Sequence, residues 1–159
     1  NNFQPQWFIT LLWNDLPTRS ETVISHSRHF RNVFLTSLLN QPLKKLPEPP
    51  FRPHLVFFHE RKLVITRGRQ ITAFHTHLHL GALPDSLNHL WYLDHLIHQK
   101  VSPKVRNLLK TTSEGNRGVV IKPWNWDHHA FYNLKDYYSY RHHQDPDLVL
   151  DYENSDLVF

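Results

Sequence analysis

The chain contains no cysteine and no methionine, only four glycines, and no long apolar run. The absence of cysteine excludes disulfides and thiolate metal sites, so any metal ion has to be held by histidine, aspartate or glutamate. No apolar run approaches the ~18 residues needed to cross a bilayer, and no basic and then apolar signal segment opens the chain. We therefore expect a soluble, intracellular protein.

The length of 159 residues fits a single domain, 1–159, with one hydrophobic core. Because methionine is missing even at position 1, we expect the chain to be part of a longer parent protein. The net charge of +4 and the pI near 9.4 favour anionic partners such as nucleic acid. This charge is too small to establish such a partner by itself.

Histidine is abundant, and three of the 14 histidines alternate with other residues in the stretch 74–80, Phe-His-Thr-His-Leu-His-Leu. Side chains of a strand change sides at every residue, so His75, His77 and His79 share one face. Neutral imidazoles bind divalent ions such as zinc and manganese. The stretch is thus a candidate metal site, although ordinary hydrogen-bonded histidines would produce the same pattern.

The order of the patterned segments predicts the fold class. The predicted elements are a strand at 7–13, a helix from 18 to about 39, strands at 54–66 and 70–80, a helix opening at 84–86, a possible short helix from 102, a strand at 119–122 and a helix at about 129–142. This succession is typical of an α+β domain with a single antiparallel-rich β-sheet and helices mainly on one face, of ferredoxin-like or split βαβ type. The histidines would then lie on the open face of the sheet, where a ligand can reach them.

Capping patterns mark the starts of two predicted helices. Thr18 and Glu21 match a capping box, and Asp85 is a candidate cap for the helix that follows Pro84. Apolar residues at helical spacing predict the buried stripes. These stripes are Val23, Phe30, Phe34 and Leu38 in the first helix, and Leu87, Leu90, Trp91 and Ile97 in the second.

The segment Arg67-Gly68-Arg69 separates two strand-like runs and predicts a β-hairpin. A two-residue turn makes the numbers of paired residues sum to an odd value, which places Glu60 on the face of His77. A three-residue turn places His59 there instead. The sequence leaves both alternatives open.

Cations cluster at the tip of this hairpin, where Arg61, Lys62, Arg67 and Arg69 lie close in sequence. Such a tip can follow the phosphates of a nucleic acid, and Arg67 and Arg69 are the candidate DNA contacts. Charged hairpin tips are also commonly just solvated.

Tyrosines recur in the last predicted helix, at positions 132, 137, 138 and 140. A tyrosine hydroxyl is a weak nucleophile at its free pKa of ~10 unless a metal polarises the electrophile or a cation lowers that pKa. Phe131, Leu134 and Tyr138 lie on one helical stripe, which would turn Tyr138 toward the core. Tyr137 is therefore our first candidate for a nucleophile, and Tyr138 is the second.

Three motifs along the chain together resemble those of the HUH endonucleases, which include the replication initiators of rolling-circle plasmids and of small single-stranded DNA viruses. The motifs are Phe-Ile-Thr at 8–10, His-Leu-His at 77–79, and Lys-Asp-Tyr-Tyr-Ser-Tyr-Arg at 135–141. The resemblance covers most of the chain, from about Trp7 to Arg141. It rests on the order of the motifs along the chain, because His-x-His alone is common.

The resemblance implies a metal site in which His77 and His79 are paired ligands and a polar residue of the adjacent strand is the third. Glu60 is the expected third ligand, since a carboxylate commonly fills this role in similar initiators, and His59 is the alternative. The implied ion is Mn²⁺ or Mg²⁺, which would polarise the scissile phosphate. His75 lies outside the motif and is expected to orient a ligand or to contact DNA.

The family nucleophile is a tyrosine followed three residues later by lysine, and this sequence departs from that pattern. Tyr140 stands three residues after Tyr137, whereas the cation Arg141 stands three residues after Tyr138. The Lys-Asp-Tyr context still favours Tyr137. Lys135 and Arg141 are expected to neutralise charge that develops on the DNA phosphate.

The activity that the resemblance implies is site-specific nicking and joining of single-stranded DNA at a replication origin, through a 5′-phosphotyrosine intermediate. The protein would act in the bacterial cytoplasm, or in the host-cell nucleus if it is viral. The sequence contains no Walker A loop, so a helicase would have to be another domain or a partner protein.

Two interpretations from other classes remain. His75, His77 and His79 also resemble the triplet of histidine-triad nucleotide hydrolases, in which a histidine attacks a phosphate without metal, although Thr76 fits that triplet poorly. A non-catalytic DNA-binding module could keep the fold and use the histidines as structure. Sensitivity to a chelator separates the hydrolase from the endonuclease.

Overall fold

The computed structural model describes residues 4–105, 107–110, 118–126 and 148–157. The predicted tyrosine helix lies outside these residues, and so do Lys135, Tyr137, Tyr138 and Arg141. No helix within the described ranges is long and apolar enough to cross a membrane.

Five strands of the described residues form one sheet in the order β4-β1-β3-β2-β5. Every neighbouring pair is antiparallel. The strands are β1 (Pro5–Leu11), β2 (His54–Thr66), β3 (Arg69–Gly81), β4 (Val119–Pro123) and β5 (Leu148–Leu150), and the helices are α1 (Ser20–Leu39) and α2 (Leu90–Leu96). The predicted α+β class with a single antiparallel sheet is confirmed, and β5 is a strand that the sequence did not indicate.

The chain connections give the sheet its split βαβ arrangement. From β1 the chain passes through α1 to β2, and β3 lies between these two strands. From β3 it passes through α2 to β4, with β1 between them. Each connection skips one position in the sheet, which brings β1 and β3 together at its centre.

The hydrophobic core lies between the helices and one face of the sheet. The predicted stripe of α1 is confirmed, because Val23, Phe30, Phe34 and Leu38 are all buried. Six of the core residues that the strands contribute are fully buried, and burial of each such side chain contributes ~1.5–3 kcal/mol. They are Ile9, Leu11, Leu55, Phe57, Leu78 and Leu80.

The predicted capping box of α1 is wrong. The N-cap residue is Arg19, with extended backbone and no side-chain capping hydrogen bond. The first helical bond joins the Val23 amide to the Arg19 carbonyl over 3.3 Å. Thr18 therefore precedes the N-cap position, and its hydroxyl does not cap the helix.

The second helix also differs from its prediction. It begins at Leu90 with His89 as N-cap, while the Leu87 amide donates to the Pro84 carbonyl in a turn, so Asp85 is not a cap. Trp91 of the predicted stripe is 70% exposed. Leu90 of that stripe is also exposed, whereas Ile97 is buried as predicted and Leu87 packs partly buried against the core. The other buried residues are Leu93 and Leu96 of α2 and Val101, and Ile97 and Val101 lie in a π-helical turn at Ile97–Val101. Residues 102–105 form turns rather than the possible short helix.

The segment after β5 covers the outer edge of β2. The amides of Asp151 and Asp156 donate to the carbonyls of Phe57 and Leu55 over 3.0 and 2.8 Å. Asp156 also forms a two-pronged ion pair with the buried Arg52, both contacts being 2.7 Å. This pairing satisfies the strand edge, which would otherwise offer unpaired backbone groups to other chains.

A buried chain of hydrogen bonds joins the same segment to the core. Trp13 Nε1–H donates to Thr76 Oγ1 over 2.8 Å, and Thr76 Oγ1 lies 2.9 Å from His59 Nδ1. His59 Nε2 lies 2.8 Å from Asp151 Oδ2, which also accepts from Asn154 Nδ2 over 2.7 Å. All five side chains are buried, so the loss of one member would leave its neighbours without partners in a low-dielectric environment.

We predict that Asp151→Asn lowers the free energy of unfolding by about 2 kcal/mol at pH 7, because a buried charged acceptor of His59 is lost. Burial raises the pKa of Asp151, but hydrogen bonds with His59 and Asn154 lower it more, so the pKa lies below its usual range. The ionised carboxylate therefore stabilises the fold above the unfolded pKa of ~3.9, and this contribution is lost as pH falls through the lower folded pKa.

Urea unfolding at pH 7, 5 and 3 measures this effect, and the gap between parent and variant should narrow only below about pH 4. The exposed Asp85→Asn is the matched control and should leave stability unchanged. A gap of the same size at all three pH values would contradict the assignment.

Two glycines with positive φ allow a second prediction. Alanine at Gly68 (φ 73°) would meet no atom within 4 Å, whereas at Gly118 (φ 65°) its Cβ would lie 2.7 Å from the Lys110 backbone and 2.8 Å from the Leu12 carbonyl oxygen. Gly68→Ala should cost about 1 kcal/mol for the left-handed backbone alone. Gly118→Ala should cost at least ~3 kcal/mol, because the strain of a backbone contact is added. Equal losses in urea unfolding would contradict this.

Candidate metal centre

The turn of the β2–β3 hairpin contains two residues, Arg67 and Gly68, with φ of 48° and 73°. Two positive φ values are the signature of the type I′ turn, whose twist suits a hairpin. Paired residue numbers therefore sum to an odd value, and Glu60 pairs with His75 while Phe58 pairs with His77. Of the two alternatives left by the sequence, the structure has the one that places Glu60 on the histidine face.

Glu60, His75 and His77 converge on one point of that face. Glu60 Oε2 lies 3.0 Å from His75 Nε2 and 2.9 Å from His77 Nε2, and the two nitrogens are 3.1 Å apart. All three side chains are buried. Each offers one ligand atom, so this group of the described residues could hold a metal ion.

The electrostatics of the cluster keep the carboxylate charged and oppose charge on His77. Burial raises the pKa of the Glu60 carboxyl, but hydrogen bonds with His75 and His77 lower it more, so this pKa lies well below its usual range. Burial lowers the pKa of His77, against the opposing effect of its hydrogen bond with Glu60. An ionised carboxylate and a neutral imidazole are the protonation states that bind metals.

Thr10 of β1 contacts the ring nitrogen of His77 that does not face Glu60. Its Oγ1 lies 3.2 Å from His77 Nδ1. In the tautomer whose Nδ1–H donates to Thr10, the Nε2 lone pair of His77 faces the Glu60 carboxylate, and a cation between them would remove their repulsion. Metal-binding histidines usually have such a partner on the second ring nitrogen. The donor set therefore fits a bound cation.

His79 does not belong to this three-residue cluster. Its ring packs among aromatic rings, with centroids 4.7 Å from Trp124, 4.8 Å from Phe58 and 5.6 Å from Phe8. The spacing along the strand explains this, because Glu60 pairs with His75 and a strand rises ~3.3 Å per residue. His79 is four residues beyond His75, so the structure brings together Glu60 and His77 of the expected set with His75 as the third member.

His59, the alternative third ligand, lies on the helix-covered face of the sheet. It pairs with Thr76 and is held by Thr76 and Asp151 in the buried hydrogen-bond chain. The sheet itself separates this residue from the cluster.

The sequence led us to expect an open histidine face. This prediction is wrong, because His75, His77 and His79 are all buried. His75 and His77 instead line a cavity of about 1190 Å³. Its walls include cations and aromatic rings, namely Lys62, Lys110, Lys122, Phe8, Trp124 and Trp126. Such a lining suits an anionic ligand that carries rings.

The sequence did not reveal the contributions of β1 and β4 to this cavity. Phe8 pairs with Lys122, and Thr10 pairs with Val120, so these residues share the histidine face. Alternation within Val119–Pro123 could have placed Val120 and Lys122 on one side. It could not have shown which side, because strand register is set by distant pairing.

The predicted DNA contacts Arg67 and Arg69 are exposed at the far end of the hairpin. They lie seven and nine residues beyond Glu60 in sequence, on the turn and at the first position of β3. They do not join the cluster. Any role in nucleic-acid binding would be at a second place on the surface.

The chain was compared with protein-family models, with curated proteins and with solved structures, and nothing matches in any of the three comparisons.

Proposed function

We propose that the chain is a metal-dependent, HUH-type endonuclease that nicks and joins single-stranded DNA. The observation that carries the proposal is the convergence of Glu60 of β2 with His75 and His77 of β3. The family resemblance assigns its metal ligands to the same two strands, and Glu60 and His77 belong to both sets. This cluster borders a cavity with lysines and tryptophans in its walls, where a DNA backbone and its bases would find partners.

Two imidazole nitrogens and one carboxylate oxygen would hold the ion. This mixed donor set favours Mn²⁺ over Mg²⁺, since Mg²⁺ prefers oxygen ligands. Bound there, the ion would supply Lewis acidity to the scissile phosphate.

Residues of the chain itself supply binding and orientation. Thr10 fixes the ring of His77, and Lys62 lies 3.6 Å from Glu60 at the side of the cavity. Lys122 and Lys110 provide positive charge for the phosphates. Trp124 and Trp126, whose rings are 5.5 Å apart, provide faces on which bases can stack.

The proposed nucleophile is Tyr137, with Tyr138 as second candidate. The tyrosine hydroxyl loses its proton as its oxygen forms a bond to the scissile phosphorus. The bond from phosphorus to the 3′ oxygen breaks, and that oxygen takes up a proton and leaves as a free 3′ hydroxyl. A 5′ phosphotyrosine results, and attack by another 3′ hydroxyl reverses the step. Lys135 and Arg141 are proposed to balance the developing negative charge.

We predict that the parent protein binds Mn²⁺ in isothermal titration calorimetry more tightly than Mg²⁺. His77→Ala should weaken Mn²⁺ binding by at least about 100-fold, because a direct ligand is lost. His79→Ala is the matched control from the same face and should keep Mn²⁺ affinity within about threefold, since His79 contacts aromatic rings rather than Glu60. Equal losses in the two variants would contradict the ligand set.

The activity itself is tested with a labelled single-stranded oligonucleotide library, Mn²⁺ and a denaturing gel. We expect a covalent protein–DNA band that a chelator and His77→Ala both abolish. Tyr137→Phe should abolish the band while DNA binding persists, and Tyr138→Phe should retain it. DNA binding without any covalent band would instead support a non-catalytic module, and phosphate release that survives the chelator would support a histidine nucleophile.

A further inference from the structure

The outer half of the β2–β3 hairpin extends past the rest of the described sheet. We call residues 61–74 the hairpin arm. β1 pairs with β3 only between Thr76 and Gly81, and β5 pairs with β2 only at residues 58–60. Within the described ranges the arm is therefore a ribbon of two strands to which no third strand is added.

The charge of the arm has one sign. Its sequence, Arg-Lys-Leu-Val-Ile-Thr-Arg-Gly-Arg-Gln-Ile-Thr-Ala-Phe, contains four cations and no acidic residue. Lys62 contacts Glu60, and the Arg61 guanidinium lies over the Phe74 ring, both at the base of the arm. Arg67 and Arg69 at the tip have no ion pair among the described residues, and their charge faces solvent. The arm thus presents a positive field to an approaching partner.

The arm also exposes apolar surface. Leu63 and Ile65 are 63% and 72% exposed and point to the same side of β2. A two-stranded ribbon is only marginally stable in water by itself, so such exposure indicates a contact surface. Because the flanking charges are all positive, a second arm would be repelled, and a polyanion is the occupant that the charge favours.

The shape of the arm, a two-stranded ribbon, is compatible with the major groove of duplex DNA. Six residues per strand, from Arg61 to Thr66, span about 20 Å at ~3.3 Å per residue. The major groove of B-DNA is ~12 Å wide and admits a two-stranded β-ribbon. We propose that the hairpin arm binds duplex DNA by insertion into the major groove, next to the single strand that is cut; the choice of DNA rests on the proposed function.

In that position each part of the arm has a matching chemical group. Arg67 and Arg69 at the tip reach phosphates or the acceptor edge of guanine, and Leu63 and Ile65 supply apolar contact for thymine methyl groups. An RNA duplex has a deep and narrow major groove that excludes such a ribbon. The arm therefore distinguishes the two duplexes by shape.

Fluorescence anisotropy with a labelled 20-base-pair DNA duplex, in EDTA, tests the proposal without any cleavage. The double variant R67Q/R69Q should bind the duplex at least about tenfold more weakly, and the slope of log affinity against log salt should fall by about 2, as two phosphate contacts are lost. The matched control K44Q/K45Q removes two exposed lysines of the Leu43–Lys45 turn and should change affinity less than about twofold. The RNA duplex of the same sequence should bind the parent at least about tenfold more weakly.

Equal weakening by the two double variants, or equal affinity for both duplexes, would overturn the proposal. Sedimentation of L63S/I65S tests the other occupant: conversion of a dimer to a monomer with unchanged duplex affinity would assign the arm to a second copy of the chain. The two proposals also fail separately. Duplex binding that depends on the arm, without a covalent adduct, would support the arm proposal and contradict the endonuclease proposal. A covalent adduct without arm-dependent duplex binding would support the endonuclease proposal and contradict the arm proposal.

Discussion

The register of the β2–β3 hairpin is the constraint on which both faces of the sheet depend. Arg67 and Gly68 form a two-residue turn, and this turn pairs Glu60 with His75. A slip by one residue would move every side chain of one strand to the opposite face. It would exchange Glu60 for His59 beside the histidines, and it would place a carboxylate in the apolar core, where an unpaired charge costs several kcal/mol.

Because of this register, residues that are adjacent in sequence belong to two separate polar networks on opposite faces of the sheet. Glu60, His75 and His77 converge on the cavity side, while His59 and Thr76 belong to the buried hydrogen-bond chain that ends at Asp151 and Asn154. Thr76 stands between His75 and His77 of the candidate metal cluster, so the hydrogen bonds that fix its side chain also fix the strand that carries them. Rigid support of this kind keeps ligand atoms in place before a metal binds.

Much of this fold could be predicted from local patterns, and the exceptions have physical causes. Alternation located the hairpin, and helical spacing identified Val23, Phe30, Phe34 and Leu38 as core. The turn parity was ambiguous because Arg67 occupies a left-handed position that asparagine or glycine usually fills. The strand Leu148–Leu150 was missed because it is short and is defined by pairing with distant β2. The capping box failed because the N-cap of α1 is Arg19, one residue after Thr18, and no side chain caps the helix.

The same limits explain why the motif alone could not identify the members of the cluster. His75-Thr-His77 and His77-Leu-His79 have identical spacing, and in each the middle side chain, Thr76 or Leu78, points away from the histidine face. The position of the carboxylate across the strand pair decides between them. Glu60 is opposite His75, and the cluster contains His75 and His77; an acidic residue at position 58, which is opposite His77, would have lain next to His79 as well. Selection of the candidate metal ligands is thus a property of the pair of strands, and a single-strand motif contains only half of the information.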